Sequence, residues 1–246
     1  FFEKTLVATP WPIFMIVLMA LTYWGSRSIK LCIGTLLAFV FIGYFRMWEE
    51  TMSTIAIILT SVIMSVAIGL PTGIAMSRSD RTQKIVTPIL DVMQTMPPFV
   101  YLIPIVMLMG IGKIPGLIAV VIYAIPPLIR LTNLGIREVD QEALEAADAF
   151  GATKRQKLFQ VQLPLALPTI FAGINQTIMM ALAMVIIASM IGVKGLGQPV
   201  LQSIYNQYFT KGVLYGLAIV IVAIVFDRVS QSYGQRIQKH RSGKLV

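Results

Sequence analysis

REVDQEALEAADAFGATKRQKLFQVQLPLALP, residues 137–168, is a polar island set between long apolar runs. Glu142 to Phe150 is rich in strong helix formers, and Glu142 and Glu145 lie near its N-terminal end, where the helix dipole favours acids. Ala143, Ala146, Ala147 and Ala149 keep that helix slim enough to enter a groove. Gly151 can take the left-handed conformation that ends it. Lys154 to Gln162 follows as a second short helix, basic and amphipathic, with Pro164 as its expected stop. A solvated surface hairpin is the plain account of this pattern. The sharper one is a docking knob that an apolar protein offers to a soluble partner.

The apolar setting is plain from the remainder of the 246 residues. The chain is 57% hydrophobic and 13% charged, with a mean hydropathy of +0.79. A soluble domain carries about 45–50% apolar and about 25% charged residues, so both departures indicate a polytopic membrane protein. The net charge of +9 is not a nucleic-acid signal, because its distribution is one-sided. Only Lys4, Arg46, Lys113, Lys194 and Lys211 fall in the loops of one face, leaving 15 of the 20 basic residues on the other. By the positive-inside rule the richer face is cytoplasmic, which puts the N-terminus outside and the C-terminus inside. Attraction of those loops to anionic lipid is a weaker use of the same charge.

Spans of about 20 apolar residues are needed to cross a bilayer. Trp11–Trp24 is a short first candidate, which an interfacial helix would also explain. Ile29–Phe45, Thr51–Met76, Ile85–Met109, Pro115–Ile129, Thr169–Val193 and Gly212–Asp227 complete an expected set of seven. The fourth carries Pro88, Pro97, Pro98 and Pro104. Gly69, Pro71, Gly73 and the pair Pro126-Pro127 mark bends or close helix contacts, since irregular backbone is tolerated only away from lipid. Phe1-Phe2-Glu3-Lys4 does not read as the start of a signal peptide, and the missing initiator Met leads us to expect further N-terminal sequence.

Catalytic chemistry finds little to build on. The one histidine, His240, sits in a basic tail, and the one cysteine, Cys32, lies in an apolar run as a packing residue. Ionisable residues deep in the spans are scarce: Asp91 and Asp227 both fall near cytoplasmic ends. That counts against a proton-driven carrier. The neutral intramembrane polar residues are Gln94, Thr95, Asn175, Gln176, Thr177 and Ser189. Interhelical hydrogen bonding is their bland role, and lining of a pore the sharper one. Gly192–Gly197 lacks the Lys-Ser/Thr of a phosphate loop.

The island also carries a spacing. Glu145-Ala146-Ala147 is followed by three residues, Gly151, nine residues, and Val161-Gln162-Leu163-Pro164. This resembles the EAA signature of ABC importer permeases, with Val161 where isoleucine is usual. Ile89-Leu90-Asp91-Val92-Met93-Gln94-Thr95, Phe99 to Met107, Gly173 to Thr177, Ile187 to Ile191 and Gly195-Leu196-Gly197 narrow it. Together they resemble the permease subunits of glycine betaine/proline betaine importers over roughly Thr51 to Arg228.

The resemblance implies an all-α type I importer permease core over residues 51–228, with a coupling loop at 137–168. Residues 1–50 would then be an external segment with accessory helices, and 229–246 a basic cytoplasmic tail. It implies a bacterial inner-membrane subunit, not an enzyme, that works with a second copy of itself. Cytoplasmic ATPase subunits holding ATP and Mg, and an external substrate-binding protein, would complete the assembly; no cofactor is expected on this chain. Carried over by position, Glu145, Ala146, Ala147 and Gly151 form the coupling helix and its turn, with Glu142 at its start. Arg130 is placed to support that loop. Phe99, Tyr101, Tyr123, Asn175 and Gln176 are the path-lining candidates. A methylated amine osmolyte such as glycine betaine fits a neutral passage, its cation–π capture being left to the binding protein. Proline betaine, choline and trimethylamine N-oxide fit nearly as well. A secondary transporter or channel working alone, and a scaffold whose hairpin merely recruits a partner, are the competing classes.

Overall fold

The computed structural model describes residues 2–242, with side chains described from Glu3 to Gly234, and every regular element among them is helical. A short α1 (Phe2–Ala8) leads to α2 (Trp11–Ser26) and α3 (Ile29–Tyr44), then to the 31-residue α4 (Trp48–Arg78). α5 (Asp80–Thr95) and α6 (Pro98–Met109) follow, then α7 (Lys113–Ala124) and α8 (Pro126–Arg137), which together make one span. The polar island forms α9 (Gln141–Ala149), and α10 (Lys154–Gln156) opens the long α11 (Leu163–Ala188). α12 (Gly197–Tyr205) and α13 (Phe209–Ser242) close the chain.

Among the described residues four helices are long and apolar enough to cross a membrane, a fifth is counted if α5 and α6 are one broken span, and α2 and α3 are shorter apolar helices. α2 and α3 have 16 residues each, about 24 Å of helix against a hydrocarbon core of about 30 Å. The expected fourth span is bent by 101° between α5 and α6. Its cause is local: Pro97 lacks an N–H, so the carbonyl of Met93 four residues back loses its helical donor. Tyr101 Oη, from the first turn of α6, donates to that carbonyl instead. Tyr101 is itself held against Tyr123 of α7, with ring centroids 5.8 Å apart.

Pro164 does not stop the second helix of the island, as its ring had led us to expect. The helix runs on from Lys154 to Ile191. Between α10 and α11 the residues Lys157–Gln162 form a π-helical stretch, whose wider turn relieves the clash between the Pro164 ring and the preceding carbonyls. α12 is an addition: a nine-residue helix after the Gly-rich loop, too short to show a period.

Within a bilayer lipid tails are as apolar as leucine, so helices associate by close packing at small residues. The centre of the molecule does this repeatedly. A Cβ on Gly73 of α4 would lie 2.6 Å from Thr132 of α8, and one on Gly135 of α8 would lie 2.8 Å from Thr169 of α11. Gly173 of α11 returns the contact, 3.2 Å from the Leu128 backbone. The main core, with Ile42, Met52, Ile58, Met184 and Leu196 fully buried, gathers above this three-helix contact. Ile33, Leu37, Ile68, Leu108, Val220 and Ile224 stay exposed, a distribution suited to lipid and not to water.

Contacts at the two ends agree on which termini share a side. Glu3 of α1 pairs with Lys113 at the start of α7, and Leu196 N donates to Thr54 Oγ1 near the start of α4 at 2.8 Å. At the opposite end Arg137 of α8 reaches Asp80 at 2.7 Å and the Met76 carbonyl at 3.0 Å.

Candidate functional site

Each end of α9 is fixed by its own sequence. Asp140 caps the start by accepting from Glu142 N at 3.0 Å. At the finish Gly151 has φ +72°, its N–H donates to the Asp148 carbonyl at 2.9 Å, and Ala152 N donates to the Ala147 carbonyl at 3.0 Å. This paired closure needs a residue free to take positive φ. Thr153 then starts the next helix with a reciprocal cap: it accepts from Gln156 N at 3.3 Å, while Gln156 Oε1 accepts from Thr153 N at 2.9 Å. Three consecutive caps turn the chain back on itself with no slack.

Above that turn the hairpin is open, and below it is bolted down. No residue of α9 is buried, Glu142, Glu145 and Ala146 are exposed, and Phe150 is 92% exposed. Asp148 pairs with Lys157 Nζ at 2.5 Å, joining α9 to the π-helical stretch. At the base Leu158 is 2% exposed and packs with Leu128, Ile136, Ala166 and Ile170. The knob is therefore anchored to α8 and α11. Glu142, Glu145, Ala146, Ala147 and Gly151 all fall on this one helix and its turn.

The expected support from Arg130 goes elsewhere. Its guanidinium pairs with Asp91 of α5, and the hairpin root is held by Arg137, whose Nε also donates to Asn133 Oδ1 at 3.2 Å. Arg137 is the residue that sequence reasoning passed over, because its partners outside α8 lie 57 and 61 positions away.

The path-lining candidates do not converge. Tyr101 and Tyr123 pack edge to face on each other, with an interplanar angle of 78° and Tyr101 6% exposed. Asn175 turns to α13, donating to Asp227 Oδ1 at 3.1 Å and accepting from Ser230. Phe99 is 52% exposed on the outside of α6. Gln176 alone faces a polar cleft, whose walls include Gln83, Thr87 and Gln94 of α5 and Arg130 and Asn133 of α8. Thr95, Thr177 and Ser189 are spent on carbonyls of their own helices. His240 and the end of the basic tail lie outside the residues whose side chains are described.

An all-α core with long apolar helices and a capped polar hairpin has counterparts among solved structures. The MetNI methionine ABC transporter, in an inward-facing conformation of its CY5 native crystal form, matches with a TM-score of 0.71 at 21% identity, covering 78% of this chain and 95% of that one. An amino acid ABC transporter solved with histidines matches with a TM-score of 0.66 at 21% identity, over 79% and 96%. The fold is that of a type I ABC importer permease.

Residues 65–239 match the family described as binding-protein-dependent transport system inner membrane component, and this chain belongs to that family. It is 49% identical over 234 residues to the glycine betaine/proline betaine transport system permease protein ProW of Escherichia coli (strain K12), covering 95% of this chain and 66% of the relative. The protein of the same description in Salmonella typhimurium (strain LT2) is 51% identical over 220 residues, with 89% and 62% covered. The glycine betaine transport system permease protein OpuAB of Bacillus subtilis (strain 168) is 50% identical over 218 residues, with 88% and 77% covered. The chain thus spans somewhat under two thirds of the length of the first two relatives, at 66% and 62%.

Proposed function

We propose that this chain, with a second copy of itself, forms the membrane path of an ATP-driven importer for glycine betaine or a related methylated amine. An external binding protein delivers the solute, and two cytoplasmic ATPase subunits, which hold the ATP and Mg, each receive one hairpin. The observation that carries this reading is the pairing of an exposed tip with an immobile base: Phe150 at 92% exposure and Leu158 at 2%. When the ATPases close on ATP, they draw the two α9 helices together. α8 and α11 follow as rigid bodies, because the three caps and the Leu158 anchor leave no soft joint between knob and span. The three relatives named above, each a glycine betaine or glycine betaine/proline betaine permease, support the solute class.

Gly151→Pro is the direct test. Proline fixes φ near −65°, which the +72° of Gly151 forbids, so the turn must re-form while the spans insert normally. In liposomes holding the assembled importer and its binding protein, ATP hydrolysis is expected to persist while uptake falls at least tenfold. Uptake at the wild-type rate would overturn the coupling role. Uptake by the wild-type chain without ATPase or binding protein would instead establish a secondary transporter or channel.

A further inference from the structure

α5 and α8 run antiparallel and are joined by two ion pairs, Asp80–Arg137 at the cytoplasmic end and Asp91–Arg130 above it. Arg130 lies seven residues before Arg137, hence about 10 Å deeper along the helix. A cleft of about 370 Å³ opens beside it, and the polar part of its wall is Gln83, Thr87, Gln94, Arg130, Asn133 and Gln176. Arg130 is the one charged side chain of that wall. A guanidinium presents five donors in a planar fork that matches a carboxylate. Here Nη2 donates to Asp91, while Nε is buried and has no partner among the described residues. A buried donor without an acceptor is costly, and its pairing with an anion is the natural remedy. No aromatic ring lines the cleft, so a quaternary ammonium cannot be held there by cation–π contact.

We propose that Arg130 reads the carboxylate of the solute during its passage through the permease, and that Asp91 is the internal group standing in for that carboxylate. The proposal rests on the methylated-amine reading above and narrows it to zwitterions. The solute carboxylate approaches the part of the Arg130 side chain that stays exposed, at 37%, and Asp91, 55% exposed beside the cleft and displaced from Nη2, turns to the ammonium. One ion pair is exchanged for two, and no net charge is added to the membrane interior, where an unpaired charge is expensive. A solute that has the ammonium but no carboxylate, such as choline, satisfies Asp91 only by leaving Arg130 unpaired. Betaines therefore pass and choline is disfavoured at this station, whatever the binding protein accepts.

Two variants separate recognition from scaffolding. R130K keeps the charge and the pairing with Asp91 but loses the fork; the double variant D91L/R130M removes the pair and keeps the bulk. Labelled glycine betaine is titrated onto the permease–ATPase complex in nanodiscs without binding protein, and uptake into liposomes is measured with it. Wild type is expected to bind saturably, with displacement by proline betaine and not by choline. R130K is expected to bind at least tenfold more weakly, with uptake per ATP hydrolysed falling in step, and D91L/R130M to lose binding while its ATPase assembly stays intact. Wild-type binding and uptake in both variants, or displacement by choline as readily as by proline betaine, would overturn the proposal. Failure of the wild-type importer to take up any betaine would defeat the solute reading of the previous subsection, and this one with it.

Discussion

Phe150 offers a bare aromatic ring to water at the tip of α9, an arrangement with no use in the isolated chain. Aromatic anchors of this sort concentrate the binding energy of interfaces, and their truncation commonly costs about 2–4 kcal/mol. Phe150→Ala is expected to weaken copurification of the ATPase on the order of a hundredfold in affinity, with the spans unaffected by circular dichroism. Lys157→Ala, which removes the half-exposed pair with Asp148, should change the same affinity by less than about 1 kcal/mol, since exposed pairs are worth little. Tyr101 is a different kind of residue, because its hydroxyl occupies the carbonyl that Pro97 orphans. Tyr101→Phe leaves that acceptor unpaired at a cost of about 1–3 kcal/mol, to be read as a lower melting temperature in detergent. Gly151 was legible from sequence because a helix end demands positive φ and little else supplies it. Arg130 was not: a partner 39 residues away leaves no trace in local spacing.

Among the elements, the contact of α4, α8 and α11 is where the molecule tolerates least. Gly73→Leu must displace Thr132, 2.6 Å from the new Cβ, and the Ile129 carbonyl at 2.9 Å. Overpacking of this kind costs about 1–3 kcal/mol, and we expect lower yield and a lower melting temperature, whereas Gly34→Ala, with nothing within 4 Å, should be neutral. The existence of the long apolar helices was readable because about 20 apolar residues leave few other choices, but their ends were not: Gly212–Asp227 lies inside Phe209–Ser242, since a helix runs on through polar residues once it leaves the apolar stretch. The bend between α5 and α6 was not, since an amphipathic α5 followed by an apolar α6 reads as one stretch and hydropathy does not register direction. Pro97 and Pro98 announced a break without fixing its 101°. The π-helical turn at Lys157–Gln162 has no signature in composition, and Pro164 looked like a stop only because the wider turn upstream was not foreseen.

At the scale of the whole molecule, the basic asymmetry leads us to propose an orientation with the hairpin in the cytoplasm, which labelling can check. In a Cys32→Ser background, a cysteine replacing Phe150 should react with a membrane-impermeant maleimide only from the cytoplasmic side. A cysteine replacing Lys194 should react only from the other; the reverse pattern would invert the topology. Family membership was accessible because the hairpin spacing and the Asp91 segment are contiguous text. The gathering of path residues was not, because Tyr101, Asn175 and Gln176 point to three different neighbours that only packing decides.

The unbroken run from Lys154 to Ile191 gives α11 the form of a beam held at its middle. Its 38 residues amount to about 57 Å, and the glycine contact with α8 at Thr169 and Gly173 lies around the midpoint of that run. Arms of nearly equal length transmit a stroke without enlarging it. A tilt of about 5° about that contact would carry each end by only ~2–3 Å, in opposite directions, so whatever the hairpin gives up on one side the far end returns on the other at nearly the same size.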